Sequence, residues 1–88
     1  MADHAWRSLV ELLAKHQEDA ALDCILSTLL SAEEKESIAN RLSVFQALLK
    51  GGETQRAIAA RVGVSIATVT RCSNTLKQLT CAEKNIIQ

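Results

Sequence analysis

The stretch QRAIAARVGVSIATVTRCSN, residues 55–74, restricts the fold of this chain more than any other part of it. Two short helices that meet near a right angle need three things: a small residue at the crossing, a residue tolerant of positive φ in the turn, and apolar residues facing inward from both rods. Ala59 supplies the first and Gly63 the second, while Ile58, Val62, Val64, Val69 and Cys72 fall at the inward offsets. The pattern predicts a helix-turn-helix, with Thr54 capping a helix over Gln55 to Val62 and Ser65 capping another from Ile66 to about Gln78. An ordinary helical hairpin with no nucleic-acid role fits the same spacing.

The remainder also reads as helix. Trp6, Leu9, Val10 and Leu13 make an i, i+3, i+4, i+7 stripe over Asp3 to His16, and Leu22, Ile25, Leu26, Leu29 and Leu30 repeat it over Asp19 to Leu30. Ser31-Ala-Glu-Glu34 has the form of a capping box. The helix it starts continues through Ile38, Leu42, Phe45, Leu48 and Leu49 to Gly51-Gly52, where glycine takes a left-handed cap without steric cost. Thr80 caps a last helix, Cys81 to Gln88, short enough to fray. Composition agrees: 48% of the 88 residues are apolar, yet there is one Phe, one Trp, no Tyr and no Pro. What is left is Leu, Ala, Ile and Val, a helix-bundle mixture. The expectation is one all-α domain of six helices over 1–88, with a segment 1–50 ahead of a helix-turn-helix in 54–78 and a short C-terminal helix in 80–88. A chain of this length buries only about 60% of the surface it exposes when unfolded, so burial against a partner would help it.

Several function classes drop out. Cys24, Cys72 and Cys81 form no Cys-x-x-Cys pair, and His4 and His16 complete no zinc spacing, so no metal is expected and the cysteines read as reduced thiols acting as small apolar residues. No nucleophile, base and orienting group recur at a meaningful spacing and no phosphate loop exists, which argues against an enzyme. The N-terminus lacks the apolar core of a signal peptide, and no run approaches the roughly 20 apolar residues of a membrane span, so a cytoplasmic protein without a membrane partner is expected.

Net charge is zero, but it is unevenly placed. Residues 1–40 carry three basic against eight acidic residues, and residues 41–88 carry seven basic against two acidic. A basic half is the electrostatic footprint of a DNA reader. Docked in a major groove, the helix after Ser65 would present Ile66, Ala67, Thr68 and Thr70 to base edges. None is a strong bidentate reader, so specificity would rest on water, shape and phosphate placement, with Gln55, Arg56 and Lys77 as phosphate or groove contacts.

From Leu22 to Lys77 the chain resembles the Trp repressor family, the tryptophan-sensing repressors of bacterial amino-acid operons. The resemblance rests on LLSAEEKESIANRLSVFQALLKGGETQR followed by GVSIATVTRCSNTLK. It implies an all-helical, interlocked homodimer that binds a double-stranded DNA operator, with largely water-mediated base contact, and takes L-tryptophan as corepressor. Arg41 and Arg71 look like the two guanidiniums that sandwich the indole and hold its carboxylate. The backbone of Thr28 to Leu30, at a helix C-terminus, would receive the ammonium, with the Ser31 and Thr75 hydroxyls beside the site. Cys72 stands where the family generally has Gly, close to the indole, whereas helix-turn-helix spacing makes it an inward core residue. Thr28 stands where the family has a larger apolar residue, and Ala57 and Ala59 replace polar ones. Cys72 and Thr28 favour a constitutive or differently liganded regulator as the rival reading, and the two alanines imply poorer DNA contact from the first reading helix and a different operator. Zero net charge favours a helical protein-interaction module without DNA binding.

Overall fold

In the computed structural model, which describes residues 2–88, the chain forms six helices: α1 Ala2–Ala14, α2 Asp19–Leu29, α3 Ala32–Lys50, α4 Gln55–Val62, α5 Ile66–Leu76 and α6 Cys81–Ile87. No strand occurs among the described residues. Met1, the first residue of the expected segment 1–50, lies outside them. The backbone divides into two compact units, the first ending at Lys35 and the second covering Glu36–Gln88.

The first unit contains α1, α2 and the start of α3. Helix α1 stops two residues before the expected His16, because the amides of Lys15 and His16 bond three residues back, to the carbonyls of Leu12 and Leu13. That tighter turn ends the α-helical ladder. Glu18 precedes α2 in an extended conformation without capping through its side chain, and Leu30 closes α2, its amide donating to the Leu26 carbonyl. The expected capping box forms. The Glu34 amide donates to Ser31 Oγ at 3.1 Å and the Ser31 amide to Glu34 Oε1 at 2.9 Å. Yet among the described residues none of the core side chains belongs to this unit: Trp6 is 67% exposed and Leu29 56%. The periodic stripes of α1 and α2 are present and only partly covered, with Leu9, Leu13, Leu22, Ile25 and Leu30 half-buried.

The second unit holds the core. Val44 and Ala47 of α3, Ile58 and Ala59 of α4, and Val69 and Cys72 of α5 are buried together, with Phe45, Leu48, Val62 and Val64 packed against them. Every inward residue expected of the helix-turn-helix is in this cluster. Val44, Ile58 and Val69 are fully enclosed, and burying such a side chain stabilises by about 1.5–3 kcal/mol. Gly63 supplies the turn at φ 85°, and the amides of Gly63 and Val64 both donate to the Ala59 carbonyl, at 2.9 and 3.0 Å. Thr54 Oγ1 accepts from the Ala57 amide and Ser65 Oγ from the Thr68 amide, so both helices begin on the expected caps. Helix α5 ends at Leu76 rather than near Gln78, since the amides of Gln78 and Leu79 bond three residues back. Helix α6 opens on a full capping box, Thr80 with Glu83, and the Gln46 side-chain amide donates to the Ile87 carbonyl at 3.1 Å.

The cysteines separate by unit and position. All three are free, but only Cys72 is buried as a small apolar residue; Cys24 and Cys81 are exposed. Cys24 sits on α2, which has no buried position, and Cys81 is the first residue of α6.

Candidate nucleic-acid interface

The exposed side of the α4–α5 pair is built by the same turn that buries its inner side. Because Gly63 reverses the chain while Val62 and Val64 pack inward, the first turns of α5 stand clear of the core. Ile66 is 46% exposed, and Ser65, Ala67 and Thr70 are exposed with it, while Thr68 is half-buried. Arg56 and Lys77 are exposed and Gln55 is half-buried. Residues 54–78 hold Arg56, Arg61, Arg71 and Lys77 and no carboxylate at all. Among the described residues the single ion pair is Arg61 with Glu53, at 2.8 Å, which leaves Arg56, Arg71 and Lys77 without a carboxylate partner. A helix pair with an exposed small-residue turn and unneutralised cations can approach a polyanion at short range.

Hydrogen bonds hold this face in one arrangement. Ser65 Oγ and Thr68 Oγ1 lie 2.9 Å apart, and Thr70 Oγ1 donates to Gln55 Oε1 at 2.8 Å. The second bond joins α5 to the first residue of α4. Arg61 forks onto both oxygens of Glu53, through Nε at 2.9 Å and an NH2 nitrogen at 2.8 Å. That bond, with the charge behind it, holds the Glu53 carboxyl below its ordinary range.

Of the expected ligand contacts, Arg41, Arg71, Cys72 and Thr75 lie in the second unit. The Arg41 guanidinium donates to Ser37 Oγ at 3.3 Å, and Thr75 Oγ1 donates to the Arg71 carbonyl at 3.1 Å. Burial pushes the Cys72 thiol up, and the charges of Arg41 and Arg71 pull it the other way. Arg41 also edges an open groove of about 260 Å³, lined with Ile38, Leu42, Phe45 and Ile87. Thr28, Leu30 and Ser31 belong to the first unit. Thr28 Oγ1 is satisfied by the Cys24 carbonyl at 2.7 Å, Leu30 is half-buried, and Ser31 is held by Glu34. The last carbonyls of α2 lie at the negative end of its dipole. No cluster of three His, Cys, Asp or Glu able to hold a metal occurs among the described residues, and no helix there is long and apolar enough to cross a membrane.

Several contacts escaped the sequence reading. The Thr80–Glu83 box was detectable, since Thr80-Cys-Ala-Glu83 has the capping spacing. The Glu53–Arg61 pair, eight residues apart from just ahead of α4 to its last turn, and the Gln55–Thr70 pair, fifteen apart across the turn, were not, because neither separation belongs to a local rule.

Residues 4–88 match the family described as Trp repressor protein. A Trp operon repressor homolog of Chlamydia trachomatis serovar D is 40% identical over 86 residues, covering 98% of this chain and 92% of that protein. One from Vibrio parahaemolyticus is 39% identical over 80 residues, covering 91% and 78%, and one from Vibrio vulnificus is 39% identical over 72, covering 82% and 71%.

Proposed function

Since the chain belongs to the Trp repressor family, a regulatory rather than enzymatic one, we propose that it is a homodimeric, operator-binding transcriptional repressor with L-tryptophan as its corepressor. The observation that carries the DNA reading is the α4–α5 face: an exposed α5 N-terminal turn flanked by three cations that no carboxylate neutralises. Gln55, Arg56 and Lys77 then meet phosphates or groove edges, and Ser65, Ile66, Ala67, Thr68 and Thr70 enter the major groove.

The apolar surface supports the homodimer. Trp6, Leu29, Ile38 and Leu42 are between 45% and 67% exposed in the single chain, too much leucine-rich helix to leave in water. Two reading heads in a symmetric pair would have to stand roughly 34–36 Å apart to enter successive major grooves. In this reading residues 1–50 are the dimerisation core, 54–78 the reading head and 80–88 a short closing helix. The setting is the cytoplasm, where operators are.

For the corepressor, the supporting feature is a pair of exposed arginines, Arg41 on α3 and Arg71 on α5, two helices that pack together in the core. Planar guanidiniums stack on an aromatic face and fork onto a carboxylate, the two features of a tryptophan zwitterion. Thr75 adds a hydroxyl at the carboxylate, and the carbonyl end of α2 at Thr28 to Leu30, beside Ser31, suits an ammonium. Cys72 narrows the space by a thiol. A coupling of only about 1–3 kcal/mol between ligand and DNA changes operator affinity 5- to 150-fold.

Mobility-shift titrations of purified protein on a palindromic operator, with and without L-tryptophan, test the whole reading. Salt-dependent binding that requires tryptophan is the expected result. Equal binding without it removes the corepressor, and no binding at any salt removes the DNA. Calorimetry of tryptophan against Arg71→Ala tests the pocket, and unchanged affinity takes Arg71 out of it.

A further inference from the structure

Thr70 departs from two of the other helical threonines in what it does with its hydroxyl. Thr28 and Thr75 both donate to the carbonyl four residues back, at Cys24 and Arg71, the usual outlet for a threonine within a helix. Thr70 instead gives its proton to Gln55 Oε1, fifteen residues away on the neighbouring helix, at 2.8 Å. A glutamine amide has an acceptor oxygen with two lone pairs and a donor NH2 group. With Oε1 turned toward Thr70, the NH2 group is the end that Gln55 directs away from it.

This orientation bears on recognition. Glutamine reads adenine by using both ends at once, accepting from N6 and donating to N7. The bond to Thr70 fixes the plane of the amide, so Gln55 meets DNA in one preset orientation. Its NH2 group is then able to donate to a phosphate oxygen or to a base acceptor of the major groove, N7 of a purine, O6 of guanine or O4 of thymine. Gln55 stands at the first position of α4 and Thr70 on the exposed side of α5, so both are on the face assigned to DNA. Resting on that assignment, we infer that Thr70 is a positioning residue that fixes the Gln55 amide so that its NH2 group is directed at an acceptor of the DNA.

The full-length chain with L-tryptophan, selecting from a pool of random duplexes, defines a preferred half-site. That duplex and its single-base variants are then titrated with wild type, Thr70→Ser, Thr70→Val, Gln55→Ala and the Val/Ala double variant. Thr70→Val keeps the β-branched shape and removes the hydroxyl. It should weaken binding about 3- to 10-fold, the worth of one well-placed hydrogen bond. Thr70→Ser should restore wild-type behaviour, and the double variant should bind no worse than Gln55→Ala alone. If the acceptor is a phosphate, the Thr70→Val loss is equal across all base variants; if it is a base, the loss is confined to one position. A Gln55→Ala variant that binds every duplex as wild type does overturns the inference, as does a Thr70→Val variant indistinguishable from wild type. NMR of the DNA-free protein checks the bond itself, since the Gln55 side-chain amide signals should move in Thr70→Val and stay in Thr70→Ser. Signals that stay put in both remove the latch even if DNA still binds. Signals that respond in a chain that recovers no duplex leave the bond standing and remove its role in recognition.

Discussion

The units on either side of Lys35 are made of the same material, leucine- and alanine-rich amphipathic helix, and they handle it differently. From Glu36 onward, α3, α4 and α5 enclose six side chains in a shared core, with Ile58, Val44 and Val69 fully removed from solvent. Up to Lys35, stripes at least as regular enclose nothing, and Trp6 and Leu29 face water over more than half their surface. Periodicity states that a helix face needs covering. Whether the cover comes from the same chain depends on turns that return the chain onto itself, and those are the glycine-marked connections at Gly51, Gly52 and Gly63, all in the second unit.

Core truncation should separate the two units most widely. Ile58→Ala removes a fully enclosed side chain and should cost about 2–5 kcal/mol, read as a lower urea midpoint at unchanged slope. Leu29→Ala, by contrast, should act on association, weakening the sedimentation-derived dimer constant while leaving the packing of the α4–α5 pair intact, as NMR of its side chains would report. Equal midpoint losses at every protein concentration would break the distinction.

Matched caps give a smaller contrast. Ser31→Ala and Thr80→Ala each remove the hydroxyl of a complete capping box, worth about 1 kcal/mol by denaturant titration. Ser31 starts the 19-residue α3 and Thr80 the 7-residue α6 at the chain end, so Ser31→Ala should be the costlier of the two.

The finest contrast is one of pH and salt. Glu34 is held below its ordinary value of 4.5 by the Ser31 amide and hydroxyl, and Glu53 below the same value by its bond to Arg61 and the charge behind it. A depressed carboxyl contributes stability above its unfolded value that is lost as pH falls through the folded one. The advantage of wild type over Glu53→Gln should therefore be present at neutral pH and close below about 4.5, shrinking further in high salt. Glu34→Gln should differ less, since a glutamine oxygen can still accept from the Ser31 amide, and should respond little to salt. Parallel salt responses of the two variants would show that one mechanism serves both.

Local chemistry was readable from residue order: the Ser31, Thr54 and Ser65 caps, the Gly63 reversal and the inward set from Ile58 to Cys72 all occur where spacing alone puts them. Helix ends were read one or two residues long at α1 and α5, where amides turn back three residues instead of four and no glycine marks the stop. The exposure of Cys24 and Cys81 was hidden because composition reports how a residue type behaves on average, not which face it occupies. Of the candidate contacts, the outward placement of Ile66, Ala67 and Thr70 followed from periodicity. The hydroxyl-to-amide bond between Thr70 and Gln55 depends on how two helices cross, and no single helix encodes it.

One carbonyl, that of Ala59, receives the amides of both Gly63 and Val64, and the helices on each side begin on hydroxyl caps. Such a hinge has no slack. In the proposed operator binding, the conformational entropy that a looser loop would surrender on meeting a double helix is surrendered during folding instead, so docking would lose little order on the protein side. Recognition would then be governed by how well fixed surfaces and their hydration match, and a substitution that loosens the bend should weaken docking without altering a single contact atom.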